Sequence, residues 1–161
     1  MPLVESDEHR MLREAVRGIV GDFGHSYYSR VVRAGEPPTE LWEALASRGY
    51  MGVNVPERYE GGGLGLTELA IVEEELAAGG CPLLTLLVSP AIVGTILARH
   101  GSEEQRDRWL PGIGSGRERH AFAITEPDAG SNSHRLATLA RRTDSGVTLI
   151  AFVQVSVGDQ V

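Results

Sequence analysis

The chain has 161 residues, enough to bury a sizeable core in one domain or in one domain and the start of a second, and its composition is that of an ordinary globular protein. A formal net charge of −7 excludes non-specific nucleic-acid binding, which needs clustered Lys and Arg, but not a small phosphorylated ligand held by backbone amides. Cys81 is the only cysteine, which excludes an intramolecular disulfide and a cysteine-rich zinc site and fits a reducing compartment.

The opening MPLVESDEHRML carries acidic residues where a signal peptide needs a basic start and an apolar run, so a cytoplasmic location is expected. From Ser6 onward, Leu12, Val16, Ile19, Val20 and Phe23 recur at helical spacing, with Ser6 as cap and Asp7 and Glu8 in the first turn. Gly35 to Pro38 is punctuation. Thr39 then caps a second helix carrying Leu41, Trp42, Leu45 and Ala46, which closes near Gly49. A loop follows through Pro56 and the glycines of EGGGLGL, and Thr67 and Glu68 open a third helix that stops at Gly79 and Gly80. Three helices are thus expected before residue 81.

The apolar stretch from Pro82 to Leu97 is interrupted by Thr85, Ser89, Pro90, Gly94 and Thr95, so it reads as a buried helix and not a membrane span. Ser89 and Pro90 suit a cap and first helical residue, or a kink in a helix that begins upstream. Ser102 to Gln105 is a capping box opening a short helix toward Leu110, which Pro111 and Gly112 are expected to end. After Gly116 the character changes. Ala121 to Thr125 reads as a strand followed by a turn, and Arg135 to Arg142 and Val147 to Val157 read as further strands. The fold class is therefore α+β: an N-terminal α-helical domain over 1–118, then the first strands of an incomplete β domain over 119–161.

The densest constellation is Phe122, Ala123, Ile124, Thr125, Glu126, Pro127, Asp128, Ala129, Gly130 and Ser131. Pro127 disfavours helix at Glu126, and Gly130 can take a positive φ that turns successive amides inward. Free amides there suit a phosphate oxygen or the pyrimidine edge of a flavin, and the Thr125 and Ser131 hydroxyls both donate and accept. Taken alone, the spacing favours a plain capped turn after a strand. Glu126 and Asp128 as a catalytic acid and base are disfavoured, because they flank Pro127 closely and are expected to be exposed; shaping the turn is their simpler role. EGGGLGL is not a nucleotide loop, since Leu66 stands where the dinucleotide fingerprint needs glycine and no Gly-Lys-Ser/Thr follows. His9, His25, His100, His120 and His134 lack metal-ligand spacing, so no metal site is expected, and Glu73, Glu74 and Glu75 read as a solvated edge.

FAITEPDAGSN resembles, almost residue for residue, the first signature of the acyl-CoA dehydrogenases. LWEALASRGYMGVNVPERYEGGGLGLTELAIVEEELA and RHGSEEQRDRWLPGIGSGRERHAFAITEP resemble that family's flanking blocks, and the similarity covers about residues 5 to 142 in order and spacing. Asn132 departs from the usual Asp but keeps an acceptor and turn-forming ability. The resemblance implies FAD as cofactor and α,β-dehydrogenation of an acyl-CoA thioester. Phe122 to Ser131 would contact the flavin, Thr125 nearest its ring, with Ser131 also reaching the acyl-CoA, and EGGGLGL would lie near the acyl chain. It further implies an electron-transfer flavoprotein or similar acceptor and a homo-oligomer.

The family's carboxylate base and second flavin-contacting strand lie later than anything matched here, so no catalytic residue is assigned in this chain. A fragment is therefore expected, with its missing half supplied by a partner chain or absent. The closing apolar run Ile150 to Val157 is expected to limit solubility. A non-catalytic remnant or partner-dependent subunit, and a flavin oxidase or monooxygenase on the same fold, are the alternatives.

Overall fold

A computed structural model describes residues 5–144 and 146–150. It is rich in helix, with one short two-stranded sheet, and divides into two compact units on either side of the Phe122–Ala123 bond.

In the first unit, α1 (Asp7–Gly21) starts where expected, with the Ser6 hydroxyl accepting from the His9 amide at 3.2 Å. A second helix, α2 (Gly24–Arg33), was not expected. Its sequence GHSYYSRVVR buries only Val31, so it carries too thin an apolar stripe to announce itself; Tyr27 and Tyr28 nevertheless pack on the core. α3 (Thr39–Ala46) begins one residue earlier than foreseen, with Pro38 at the cap position while the Thr39 hydroxyl donates to the Pro37 carbonyl. α4 (Leu66–Ala78) is capped by Gly65, whose amide donates to Glu68 Oε2 at 2.8 Å.

Two prolines sit inside helices. α5 (Leu84–Leu86) runs directly into a π-helical segment, Leu87–Gly94, and on into α6 (Thr95–His100), so Pro90 lies within a continuous run instead of starting a new one. Pro90 has no N–H to donate and its ring crowds the preceding turn; the wide π segment accommodates both. Asn54 Nδ2 holds this segment by donating to the Pro90 carbonyl at 2.8 Å and to the Thr95 hydroxyl at 3.1 Å. α7 (Glu103–Gly114) opens with the expected Ser102–Gln105 capping box but continues through Pro111 and Gly112, past the predicted stop.

The main core joins α1, α3, α4 and the α5 region through Val16, Val20, Leu41, Leu45, Leu76 and Leu86, all essentially inaccessible to solvent. Each fully buried leucine contributes about 2 kcal/mol. A second cluster gathers Val55, Tyr59, Leu110 and Ile113. The 51–62 loop serves both, since Met51 and Val53 enter the first cluster while Val55 and Tyr59 enter the second. Its course demands glycine. A Cβ on Gly52 would overlap the backbone of Gly114, and one on Gly114 would overlap the Tyr59 carbonyl.

The three consecutive glutamates are not a uniform solvated edge. Glu75 is buried and paired with Arg17 through two hydrogen bonds of 3.0 and 3.1 Å and with Arg13 at 3.0 Å, clamping α4 to α1. Glu74 meets Arg13 at 2.7 Å. Glu73 is half-buried, with an Oε1 that has no partner among the described residues.

Ala121 to Thr125, spanning the Phe122–Ala123 bond, was expected to be a strand; these residues form no ladder with any described residue. The expected 135–142 strand begins late, after a 3-10 turn at Ser133–Arg135, as β1 (Leu139–Thr143). β1 pairs antiparallel with β2 (Gly146–Ile150), Leu139 opposite Ile150 and Thr143 opposite Gly146. The rest of the expected last strand lies outside the described residues.

Gly52→Ala is expected to destabilise the fold by about 3 kcal/mol, because backbone must move to admit the methyl, lowering Tm by roughly 10 °C in a thermal melt. The glutamates predict opposite pH responses. Arg17, with Arg13 and against the effect of burial, holds Glu75 below the usual carboxylate range, so its stabilisation is present at neutral pH and lost in acid. Burial pushes Glu73 up to about 7, partly opposed by the Leu87 N–H, so the folded chain keeps a proton that the unfolded chain has released. Stability then falls as pH rises from the ordinary carboxylate range toward 7. Glu73→Gln is expected to raise Tm at pH 8 and to change it little at pH 5; the same difference at both pH values would refute ionisation as the cause.

Candidate functional site

The chain reaches the candidate segment along a fixed path over the first unit. Trp42 Nε1 donates to the Gly116 carbonyl at 2.7 Å, and the Glu118 amide donates to the Gly112 carbonyl at 2.9 Å. Arg117 pairs with Glu60 through two hydrogen bonds, Arg119 stacks on the Trp42 ring, and the His120 amide donates to the buried Ser89 hydroxyl at 3.1 Å. Ser89, expected as a helix cap, thus belongs to the tether that leads into residues 122–131.

Phe122 to Thr125 are exposed, with Phe122 and Ile124 each about 40% accessible. The backbone then doubles back. Glu126 and Ala129 exchange both backbone hydrogen bonds at 3.1 Å around Pro127 and Asp128. Glu126 was expected to be exposed, yet it is buried, because its carboxylate is taken up within its own unit. It accepts from the Ala137 amide at 2.7 Å, from the Thr138 amide at 2.8 Å and from the Thr138 hydroxyl. These donors hold Glu126 below the usual carboxylate range, the Ala137 amide foremost. Ala137 and Thr138 were missed in the sequence, since nothing local marks residues eleven and twelve positions downstream as partners of Glu126.

Gly130 does not take the positive φ foreseen for it. A Cβ built there would meet no atom within 4 Å, so nothing in the described fold requires glycine at this point. Among the described residues, the amides of Phe122 to Thr125 and of Asp128, Gly130 and Ser131 have no hydrogen-bond acceptor, and neither the Thr125 nor the Ser131 hydroxyl has a partner. The segment thus has two halves: Glu126 and Ala129 are buried, while Thr125, Pro127, Asp128, Gly130 and Ser131 face solvent. The exposed half can receive hydrogen bonds from, and donate them to, a planar polar ligand edge.

EGGGLGL is not a phosphate cradle. Its Gly62, Gly63 and Leu64 amides are spent on the carbonyls of Gly52, Val55 and Val53 at 2.8–2.9 Å. His9 pairs with Glu68 at 2.7 Å, and His25 with Ser29 at 3.0 Å. Among the described residues no cluster of His, Cys, Asp and Glu could hold a metal ion, and no helix is long and apolar enough to cross a membrane.

Residues 6–117 match the family model described as acyl-CoA dehydrogenase, N-terminal domain. The chain is 53% identical over 142 residues to acyl-CoA dehydrogenase FadE12 of Mycobacterium tuberculosis, covering 88% of this chain and 37% of that protein. It is 36% identical over 140 residues to the mitochondrial long-chain specific acyl-CoA dehydrogenase of Sus scrofa, covering 87% and 33% respectively. An acyl-CoA dehydrogenase from Bacillus anthracis, solved in complex with FAD, superposes with a TM-score of 0.80 at 26% identity, covering 92% of this chain and 26% of that one. The chain spans about a third of the length of the curated relatives it matches. It belongs to the acyl-CoA dehydrogenase family, whose N-terminal domain its residues 6–117 form.

Proposed function

We propose that this chain contributes the N-terminal helical domain and one wall of the cofactor and substrate site of an FAD-dependent acyl-CoA dehydrogenase, with the helical domain over 1–118 and the start of a flavin-binding β domain over 119–161. The observation that carries this reading is the exposed half of the 122–131 segment, with its unpaired amides, two free hydroxyls and a glycine that its own fold does not require.

The donor set fits a flavin. A pyrimidine edge alternates acceptors and a donor, and the amides from Phe122 to Thr125 with the Thr125 hydroxyl can answer both. Gly130 leaves room for the backbone to approach a flat ring closely, as a side chain there could not. When bound, FAD supplies the acceptor for the substrate's β-hydride. Ser131, exposed beside Gly130, is assigned to the acyl-CoA thioester end of the substrate.

Neither carboxylate of the segment suits proton abstraction from the substrate's α-carbon. Glu126 already accepts three hydrogen bonds, and a carboxylate so satisfied is a poor base. Asp128 faces water at the tip of the turn, where no described residue shields the reaction from solvent. The base is therefore assigned to neither carboxylate of this segment. Electrons would leave to an electron-transfer flavoprotein or similar acceptor, and the working assembly is a homo-oligomer.

The test is titration of FAD into the purified chain, followed by flavin absorbance and fluorescence. Saturable binding is expected. Gly130→Ala and Thr125→Val should each weaken it about tenfold while leaving Tm unchanged, since both positions face open space. No spectral change on adding FAD, or full affinity in both variants, would sink the assignment of this segment to flavin.

A further inference from the structure

Among the described residues, the only hydrogen bonds that join residues 123–131 to the remainder of the second unit end on one side chain. The turn closes on itself through Glu126 and Ala129, and everything that reaches beyond it is accepted by the Glu126 carboxylate. That carboxylate spans eleven residues to Ala137 and twelve to Thr138, which stand immediately before β1. In the stretch between, the amides of Arg135 and Leu136 bond only within their own 3-10 turn, to the carbonyls of Asn132 and Ser133 at 3.2 and 3.3 Å. Gly130 and Ser131 are therefore held from two ends, by the Glu126–Ala129 pair before them and by the carboxylate link after them.

The chemistry of this link is specific. Oε2 accepts from the Ala137 amide at 2.7 Å, while Oε1 accepts from the Thr138 amide at 2.8 Å and from the Thr138 hydroxyl. A carboxylate offers two acceptor oxygens and no donor, so it can answer all three. A carboxamide of the same size cannot, because it must turn an NH2 group toward one of the donors. Hydrogen bonds to an ionised acceptor are also roughly twice as strong as neutral ones, and Glu126 is buried away from the water that would compete for them.

We infer that Glu126 is a positioning residue for the ligand-facing turn, with Thr138 as its partner: the carboxylate pins the turn to the base of β1, so that the open amides of Gly130 and Ser131 and the Thr125 hydroxyl keep one arrangement before the flavin arrives. The inference rests on the assignment of 122–131 to flavin and adds the residue that keeps this wall in shape. Glu126 acts through the backbone and not by contact, since its acceptors are already taken up within the unit. Without the pin, the turn has to be ordered at the moment of binding, and that entropy is subtracted from the affinity.

The test compares Glu126→Gln, Thr138→Val and Thr138→Ser in the full chain. Nitrogen-15 NMR of the chain without FAD follows the Gly130 and Ser131 amides, with the β1 amides reporting whether the hairpin is intact. Trp42 and Trp109 both lie in the first unit, so their fluorescence reports the fold that Glu126 does not touch. FAD titration then gives the affinity. Glu126→Gln should displace the Gly130 and Ser131 resonances and weaken FAD binding about thirtyfold. Thr138→Val should weaken it about fivefold with β1 resonances and tryptophan emission unchanged, while Thr138→Ser, which keeps the hydroxyl, should stay within about twofold of the unsubstituted chain. Undiminished affinity in Glu126→Gln, unmoved Gly130 and Ser131 resonances, or equal affinities for Thr138→Val and Thr138→Ser would overturn the positioning role and leave the flavin assignment standing. Loss of the β1 resonances together with binding in Thr138→Val would also overturn it, by reducing the link to a folding contact. Failure of the unsubstituted chain to bind FAD would remove the flavin assignment, and this inference with it.

Discussion

The first unit depends on backbone touching backbone at Gly52 and Gly114. The 51–62 loop can insert Met51 and Val53 into one hydrophobic cluster and Val55 and Tyr59 into the other only if it lies flat against the end of α7, with no side chain between them. That contact also sets the exit from α7. Gly116, Glu118 and His120 are then tethered in turn to Trp42, Gly112 and Ser89, so the chain arrives at Phe122 along a path determined some seventy residues earlier in sequence.

Local signals in the sequence were legible where the physics is local. Ser6 caps α1 and Ser102 with Gln105 boxes α7 because each needs only partners three residues away. Pro111 was misread, and Pro90 was left open between a start and a kink, because the rule applied to them is also local. Pro90 and Pro111 each remove one helical hydrogen bond, which would end an isolated helix. Here the surrounding core keeps the helix going: Asn54 secures the carbonyl of Pro90, and the buried Leu110 and Ile113 anchor α7 on either side of Pro111. α2 failed for the opposite reason, since one buried valine is too little apolar periodicity to separate a helix from a loop.

Glu73, Glu74 and Glu75 show how little residue type says about environment. Successive helix positions turn by about 100°, so three identical side chains address three surroundings. Glu75 faces two arginines of α1, Glu74 reaches one of them at the surface, and Glu73 turns toward the Leu87 N–H. No composition or pattern argument distinguishes these fates, because they depend on where α1 lies relative to α4. Burial pushes Glu73 toward neutrality, while guanidinium pairing outweighs burial at Glu75.

The 122–131 motif is best understood as two interleaved sets of residues with different duties. Glu126 and Ala129 close the turn on itself, and the Glu126 carboxylate reaches across to Ala137 and Thr138, so these side chains serve the second unit's own structure. Gly130 serves nothing in the fold, for it adopts an ordinary φ in open space. A glycine at a strained φ explains itself; one in relaxed backbone with room beside it does not. The similarity of the whole string could not separate these sets, since both are matched equally well. Their separation comes from asking of each residue whether the chain alone accounts for it. For Glu126 the answer is yes, and its charge is thereby removed from the chemistry. For Gly130 and the unpaired amides around it the answer is no, and these are the groups left over to donate to the polar edge of a ligand.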